Sequence, residues 1–132
     1  MTNSLLFKLA DKAREKSYSP YSKVTVGAAL LCASGKVYTG ANIENSAYSP
    51  SVCAERVAFF SAICAGEREF LGIAVAGGAC GEPPKDNFTP CGVCRQVMAE
   101  FCRGDFKILL SEEREIEFSK LLPYAFGGDM LK

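Results

Sequence analysis

The sequence contains no histidine and no tryptophan. The lack of histidine excludes Ser-His-Asp and Cys-His catalysis, and a metal site with soft ligands then has to use cysteine thiolates. The chain also has no net charge, because 15 basic residues balance 15 acidic ones. Its longest charged stretch, Glu112-Glu113-Arg114-Glu115, is mostly acidic. A nucleic-acid groove needs clustered basic residues, so the sequence disfavours a nucleic-acid partner.

Long apolar runs are absent as well. No segment approaches the ~20 residues that span a bilayer, and the first ten residues lack the basic and apolar regions of a secretory signal. We therefore expect no membrane partner and a cytoplasmic location. The seven cysteines are an odd number, which in that setting argues against a disulfide framework. They are expected to be metal ligands, nucleophiles or buried apolar residues.

The 132 residues fit one compact domain over 1–132, and a hydrophobic fraction of 48% suits a packed core. Leu5, Leu6, Leu9, Ala10 and Ala13 recur at helical spacing and predict a helix over 4–16, capped by Asn3 or Ser4. The remaining predicted elements are strands over 24–33, 36–39, 71–76, 106–110 and 115–118, helices over 52–65 and 91–101, a loop over 77–90, and a helical turn over 119–122. This order predicts a three-layer α/β domain with a mixed sheet between helices, and leaves the pairing of the later strands open.

Three cysteines stand at the starts of two predicted helices. Cys91 and Cys94 follow Pro90 and are three residues apart, so both lie on one helix face within reach of one metal ion. Cys53 opens the other helix. The free amides and dipole of a helix N-terminus favour anions, so thiolates form readily there. We therefore predict one zinc ion held by three thiolates, which is typical of a catalytic zinc with an open position for water.

Glu55 and Arg56 follow Cys53 closely. Zinc lowers the pKa of a bound water to about 7, and Glu55 is placed to move the proton of that water to a substrate. Three thiolates weaken this acidifying effect, and a guanidinium that hydrogen-bonds a sulfur offsets the loss. We favour Arg56 over Arg95 for this zinc charge tuning, because the i, i+3 spacing returns Arg56 to the side of Cys53. The ligand-x-Glu and Pro-Cys-x-x-Cys pattern is that of zinc deaminases, for which three cysteines are allowed.

Plainer interpretations exist for each feature. A lone Cys-x-x-Cys also occurs in redox pairs and in structural zinc knuckles, where Cys80 or Cys102 would be available as a fourth ligand. Buried free cysteine is our interpretation of Cys32, Cys64, Cys80 and Cys102. The conjunction of Cys-Ala-Glu-Arg and Pro-Cys-Gly-Val-Cys-Arg-Gln, each opening a helix, favours the catalytic site.

Further segments extend this pattern over nearly the whole chain. They are Ser19-Pro20-Tyr21-Ser22-Lys23, Val26-Gly27-Ala28-Ala29-Leu30, Gly40-x-Asn42-Ile43-Glu44-Asn45 and Leu121-Leu122-Pro123. With them the chain resembles the small homotetrameric cytidine deaminases. The resemblance implies their fold, one zinc per subunit, and hydrolytic deamination of free cytidine and deoxycytidine to uridine and deoxyuridine in pyrimidine salvage. In that reaction zinc-bound hydroxide attacks carbon 4 of the ring, Glu55 shuttles the protons, and ammonia leaves.

The resemblance also implies substrate-binding residues. Asn42 and Glu44 bind the sugar hydroxyls, and two residues of spacing on an extended segment lets their side chains face the same way. Ala54 is a further substrate contact, Phe126 reaches a neighbouring subunit's pyrimidine, and Tyr48 contributes at the subunit junction. The alternatives are turn chemistry for Asn42 and Glu44, a core position for Phe126 and a surface loop for Tyr48.

Val24 departs from the family, which usually has Phe on the strand face that covers the substrate ring. Valine is a smaller apolar wall that cannot stack, so it predicts weaker ground-state binding or a roomier pocket. Competing functions are a zinc-stabilised binding module, deamination of another aminopyrimidine such as blasticidin S, and editing of polynucleotides, which the neutral charge and short length disfavour.

Overall fold

The computed structural model of the chain describes residues 1–132. Its α-helices are α1 Asn3–Ala13, α2 Ala54–Cys64, α3 Gly92–Phe101 and α4 Phe118–Leu121. Its strands are β1 Val24–Cys32, β2 Val37–Ala41, β3 Phe70–Ala79, β4 Lys107–Leu109 and β5 Glu115–Glu117, and 3-10 turns cover Arg14–Lys16 and Gly128–Leu131. The predicted order of elements is confirmed. None of the helices combines the length and the apolar character needed to cross a membrane.

The five strands form one sheet in the order β2-β1-β3-β4-β5. β1 runs antiparallel to both β2 and β3, and β5 runs antiparallel to β4. β3 and β4 are parallel because α3 crosses between them. The sheet is therefore mixed, as predicted, and the pairing of the later strands is settled.

Helices cover both faces of this sheet. Alternate strand residues point to opposite sides, so Ala29, Ala74 and Leu109 pack with α1. Their neighbours Leu30, Ile73 and Ile108 pack on the other side with α2 and α3. The three-layer prediction is confirmed, and the larger of the two cores lies under the helices that carry the cysteines.

Several boundaries differ from the prediction. β3 continues three residues beyond Ala76, because Gly77 and Gly78 still pair with β1. α1 is capped by Thr2, whose hydroxyl accepts a hydrogen bond from the Leu5 amide at 3.1 Å, so the assignment to Asn3 or Ser4 was wrong. Leu5 is 48% exposed, and Phe7 takes the buried position instead.

The interpretation of four cysteines as buried was only partly right. Cys32 lies in the core, but Cys64 at the end of α2 and Cys80 in the turn after β3 are exposed. Both stand where an element ends at the surface, so neither is covered by a facing layer.

The backbone of α2 lies in close contact with β2 at Gly40. A side chain at Gly40 in β2 would collide with the Ala54 carbonyl oxygen and come within 2.6 Å of the Ala58 nitrogen. Only glycine leaves room for the helix backbone at this distance. The first turn of α2 is thereby held against β2, where the polar segment after β2 begins.

Candidate active site

The three predicted ligands meet in one cluster. The Sγ atoms of Cys53, Cys91 and Cys94 all lie within 4.8 Å of one another, with 3.6 Å between Cys53 and Cys91 and 3.6 Å between Cys91 and Cys94. Sulfurs at the usual zinc–sulfur distance from one tetrahedral ion are about 3.8 Å apart. The donor set and its spacing therefore fit zinc.

Helix starts account for this convergence. Cys53 is the N-cap residue of α2 and Cys91 is the N-cap residue of α3, and neither side chain caps its own helix. Cys94 lies in the first turn of α3 and is 1% exposed. Unpaired amides and two helix dipoles are thus directed at the sulfurs, which favours thiolate.

The thiols share protons unequally. Hydrogen bonding from the Cys94 thiol, together with Arg56, lowers the pKa of Cys53 to about 5. Donation of that same hydrogen bond, added to burial, raises the pKa of Cys94. Cys53 is therefore the more acidic of the two thiols, and a metal ion bound by the three sulfurs displaces the protons that the thiols still carry.

No fourth cysteine joins the cluster. Cys80 is exposed beyond the end of β3, and Cys102 lies past the far end of α3. No other cysteine, aspartate, glutamate or histidine forms a metal-holding group with the three. This arrangement is that of a catalytic zinc with three protein ligands and disfavours the structural zinc knuckle.

Glu55 is the buried acid of the site. It lies in the first turn of α2 and is 4% exposed. Burial raises the pKa of Glu55 to about 7, and the Cys53 thiolate adds to this rise while Arg56 opposes it. A carboxyl group with this pKa both takes and gives a proton near neutrality.

The two arginines have different partners. Arg56 Nη2 lies 3.6 Å from Cys53 Sγ, and Arg56 Nε is buried without a hydrogen-bond partner. Arg95 points elsewhere: its Nε donates to the Pro90 carbonyl and its Nη1 to the Leu121 carbonyl, both at 2.7 Å. The structure therefore puts Arg56 and not Arg95 beside a sulfur.

A cavity of about 300 Å³ opens beside the cluster. Its lining includes Asn42, Glu44, Cys53, Ala54, Glu55, Arg56 and Cys91 among the predicted site residues. Cys53, Cys91 and Glu55 line it at the helix starts, and the polar segment after β2 supplies Asn42 and Glu44. The cavity has the size and mixed polarity of a small-molecule site.

Asn42 and Glu44 are hydrogen-bonded within the chain. Asn42 bridges β1 along its edge, since its Oδ1 accepts from the Val26 amide and its Nδ2 donates to the Val24 carbonyl, both at 2.9 Å. Glu44 accepts from the amides of Tyr21 and Ser22 and from the Ser22 hydroxyl. The Ser22 hydroxyl, helped by these amides, holds the pKa of Glu44 below its ordinary value despite partial burial. Each side chain keeps hydrogen-bonding capacity toward the cavity.

Three predicted substrate residues do not line this cavity. Val24 lies on the same sheet face as Val26, and Val26 lines the cavity. Val24 itself is the first residue of β1 and is not a lining residue. Tyr48 is 73% exposed with φ of 62°, and its ring contacts Tyr21 edge-on at a centroid distance of 6.3 Å. Phe126 is 54% exposed in the C-terminal segment.

Several lining residues were missed in the sequence. The apolar wall consists of Val26, Ile43, Val52, Val75 and Phe88, and Ser51 and Thr89 add hydroxyls. Alternation along β1 and β3 identifies Val26 and Val75 as inward-facing, but only the folded chain shows that they face a cavity. Phe88 lay in a predicted loop, where no periodicity marks a side chain as inward.

Comparison with known proteins places this site in a family. Residues 1–110 match the family model described as the cytidine and deoxycytidylate deaminase zinc-binding region. The chain is 51% identical to a cytidine deaminase of Sporosarcina psychrophila over 91% of this chain and 88% of that protein. It is 47% identical to a cytidine deaminase of Halalkalibacterium halodurans over 98% of this chain and 97% of that protein.

Solved structures agree with this assignment. The crystal structure of cytidine deaminase from Burkholderia pseudomallei has a TM-score of 0.84 and 45% identity, covering 96% of this chain and 100% of that one. Cytidine deaminase from Mycobacterium tuberculosis has a TM-score of 0.82 and 35% identity, covering 93% and 95%. By fold, cysteine cluster and sequence, the chain belongs to the cytidine and deoxycytidylate deaminase family.

Proposed function

We propose that this protein hydrolyses the 4-amino group of free cytidine and deoxycytidine, which yields uridine or deoxyuridine and ammonia for pyrimidine salvage. The observation that carries the proposal is the cluster of three cysteine sulfurs together with the buried Glu55, where Cys53, Cys91 and Glu55 line one cavity. Relatives named cytidine deaminase over almost the full length of the chain support it.

Each residue of the cluster then has a task. Cys53, Cys91 and Cys94 hold zinc, which when bound acidifies a water molecule and so supplies the nucleophile at neutral pH. Glu55 would take one proton from the attacking water and deliver it to ring nitrogen 3. It would then take the second proton of that water and pass it to the amino group, which leaves as ammonia. Its pKa of about 7 suits both directions of transfer. Arg56 draws charge from the Cys53 sulfur, which offsets the electron donation of three thiolates.

The other polar end of the cavity selects the sugar. Glu44 is an ionised acceptor for a sugar hydroxyl, and Asn42 has one amide hydrogen left to donate. The internal hydrogen bonds of both side chains fix their orientation before substrate arrives, which reduces the entropy cost of binding. Ala54, at the start of α2, also lines the cavity.

We propose further that residues 1–132 form one catalytic domain and that the enzyme is a cytoplasmic homotetramer with shared sites. Phe126 does not line the cavity of its own chain, and it is exposed together with Tyr124, Met130 and Leu131. Tyr48 lies on the rim of a depression that shares Glu44 and Ser51 with the cavity. Exposed apolar side chains of this number favour burial by a neighbouring subunit.

The test is turnover by the purified, zinc-loaded protein. Loss of the cytosine ultraviolet absorbance is expected for the parent with cytidine and with deoxycytidine, and not for Glu55→Ala. Zinc content must be equal in both, because Glu55 is not a predicted ligand. If zinc-replete Glu55→Ala retained turnover, the proposed proton transfer by Glu55 would be excluded. Absence of turnover by the zinc-replete parent would overturn the proposed substrate.

A further inference from the structure

Phe88 is the one aromatic residue that lines the cavity. It belongs to the segment between β3 and α3, three residues before the zinc-ligand candidate Cys91. Its side chain is partly buried and packs against the larger of the two cores. This phenyl ring in the cavity wall, close to the cysteine cluster, is explained either by packing or by a role in ligand binding.

The segment that carries Phe88 is anchored to the sheet. β4 pairs with β3 only as far as Ala74, which leaves the following stretch of that edge open. The Lys85 amide donates to the Gly77 carbonyl at 2.8 Å on this edge, and Arg114 Nη1 donates to the Asp86 carbonyl at 3.0 Å. The loop is therefore fixed at two points shortly before Phe88.

Gly77 provides the space that the Phe88 ring occupies. A Cβ atom at Gly77 would lie 2.6 Å from Phe88 Cγ and 2.7 Å from Phe88 Cε2. The ring thus lies flush on the β3 backbone, next to Val26, which is the cross-strand partner of Gly77. This contact holds the ring in the cavity wall and restricts its rotation.

The phenyl ring of Phe88 lies where the middle part of a bound substrate is expected. The proposed function puts the sugar at Asn42 and Glu44 and the amino-bearing carbon at the sulfurs, so the pyrimidine ring lies between them. The lining residues that β1, β3 and the loop after β3 supply include the aliphatic side chains Val26 and Val75 and the ring of Phe88. Only Phe88 can stack on a planar aromatic ring.

We propose that Phe88, held by Gly77, is a specificity-determining residue that recognises the planar pyrimidine ring of the substrate. This proposal rests on the proposed function and extends it to the base. Stacking of a base on an aromatic side chain predicts about a tenfold loss of affinity when the side chain is replaced by alanine. The loss depends on a planar partner, since a saturated ring has no π face to stack.

The experiment compares two competitive inhibitors that differ in ring planarity, uridine and 5,6-dihydrouridine. In Phe88→Ala and Phe88→Leu the inhibition constant of uridine is expected to rise about tenfold. The constant for dihydrouridine is expected to change less than about threefold in the same variants. Phe88→Tyr keeps the stacking ring and differs from the parent only by a hydroxyl at the ring edge. Its inhibition constant for uridine is therefore expected to equal that of the parent.

A control and a stability measurement accompany these variants. Leu71→Ala truncates an apolar side chain of β3 that is 54% exposed and outside the cavity, so both constants are expected to match the parent. Thermal melts and zinc content show whether each variant is folded. Phe88→Leu keeps most of the apolar volume and tests the idea if Phe88→Ala does not fold.

The outcomes separate this proposal from the proposed function. An equal rise for both inhibitors in Phe88→Leu, or no rise for either, would overturn the stacking role while the parent still deaminates cytidine. If the parent does not deaminate cytidine, the proposed function fails. Binding of uridine and dihydrouridine, measured by calorimetry, would then still decide whether Phe88 recognises a planar pyrimidine.

Discussion

Glu44 and Asn42 show how single residues are prepared for a ligand. Both side chains are tied to backbone groups of neighbouring segments, Glu44 to the turn before β1 and Asn42 to β1 itself. The turn-chemistry alternative is therefore partly true of them, since they organise the local backbone. The same bonds leave one amide hydrogen of Asn42 and one lone pair of Glu44 free, so the structural role is compatible with the proposed binding role.

Replacement of Glu44 tests the sugar contact. Glu44→Gln removes the charge that strengthens a hydrogen bond to a sugar hydroxyl, and such bonds contribute about 1.5–3 kcal/mol. We expect KM for cytidine to rise at least about tenfold with a much smaller change in kcat, because the reacting atoms lie at the other end of the cavity. Steady-state kinetics check this, and an unchanged KM would exclude Glu44 as a sugar ligand.

Cys32 predicts a pH dependence of stability. Burial, with Glu67 nearby, raises the pKa of this thiol from 9.0 to about 11. The unfolded chain therefore releases the proton first, so the contribution of the buried thiol is fully present below pH 9 and is lost as the pH rises toward 11. The expected slope from this group in that window is about −1.4 kcal/mol per pH unit in the free energy of unfolding.

Urea unfolding of the parent and Cys32→Ala measures that slope. Cys32→Ala lowers stability at every pH because it leaves a cavity. Its profile is expected to run parallel to the parent's below pH 9 and to fall less steeply above it. Parallel profiles over the whole range up to pH 11 would contradict a raised pKa for Cys32.

At the scale of elements, two helix starts form the sulfur cluster, and one of these helices also contacts the C-terminal segment. α2 and α3 each begin with a cysteine, and their N-termini meet at the sulfur cluster. Arg95 and Gln96, directly after Cys94, donate to the Leu121 and Phe126 carbonyls. The helix that carries two of the three sulfurs thus also holds the C-terminal segment in place.

The contact of β2 with α2 predicts a large effect of one methyl group. Gly40→Ala is expected to lower the free energy of unfolding by more than about 2 kcal/mol, because the new Cβ meets the backbone of α2, which cannot move without shifting Cys53. Gly104→Ala is the matched control. The nearest atom to its Cβ is Ser119 Cβ at 3.4 Å, so we expect a change within about 1 kcal/mol.

Urea denaturation and zinc affinity check the pair of glycine variants. Gly40→Ala is expected to weaken zinc binding as well, since Cys53 caps the displaced helix. An equal stability for the two variants would show that α2 accommodates the methyl group and is not fixed by this contact.

At the scale of the whole molecule, the proposed tetramer places Phe126 in a neighbour's site. If each site takes Glu55 from one chain and Phe126 from another, two impaired variants complement each other. Glu55→Ala and Phe126→Ala, unfolded together and refolded as a mixture, are expected to recover sites in which both residues are native. Activity above the sum of the separately refolded variants is the measurement.

The mixing experiment has a clear contrary result. If Phe126 serves the site of its own chain, no site in the mixture contains both native residues, because each variant chain lacks one of them. The mixture then only averages the two activities. Sedimentation or light scattering of the same samples reports the oligomeric state, and a monomeric parent would exclude shared sites.

The local pattern of the sequence determined much of this protein. Helical spacing, strand alternation and cap chemistry depend on neighbouring residues, so the element order and the sulfurs at helix starts were readable directly. The cysteine spacing at the start of α3 and the absence of histidine defined the donor set. The position of Glu55 beside Cys53 predicted its proton role, while the resemblance supplied the predicted roles of Asn42 and Glu44, which local chemistry alone left open.

Tertiary structure decided what depends on residues far apart in the chain. The approach of Cys53 to Cys91 and the parallel pairing of β3 with β4 both require packing that no local pattern encodes. The position of Arg56 beside a sulfur, in contrast, follows from its local spacing to Cys53. Phe88 enters the cavity wall only because its loop pairs with the open edge of β3 and Gly77 leaves room for the ring. A loop side chain has no periodicity, so its direction is set by the contacts of the folded chain.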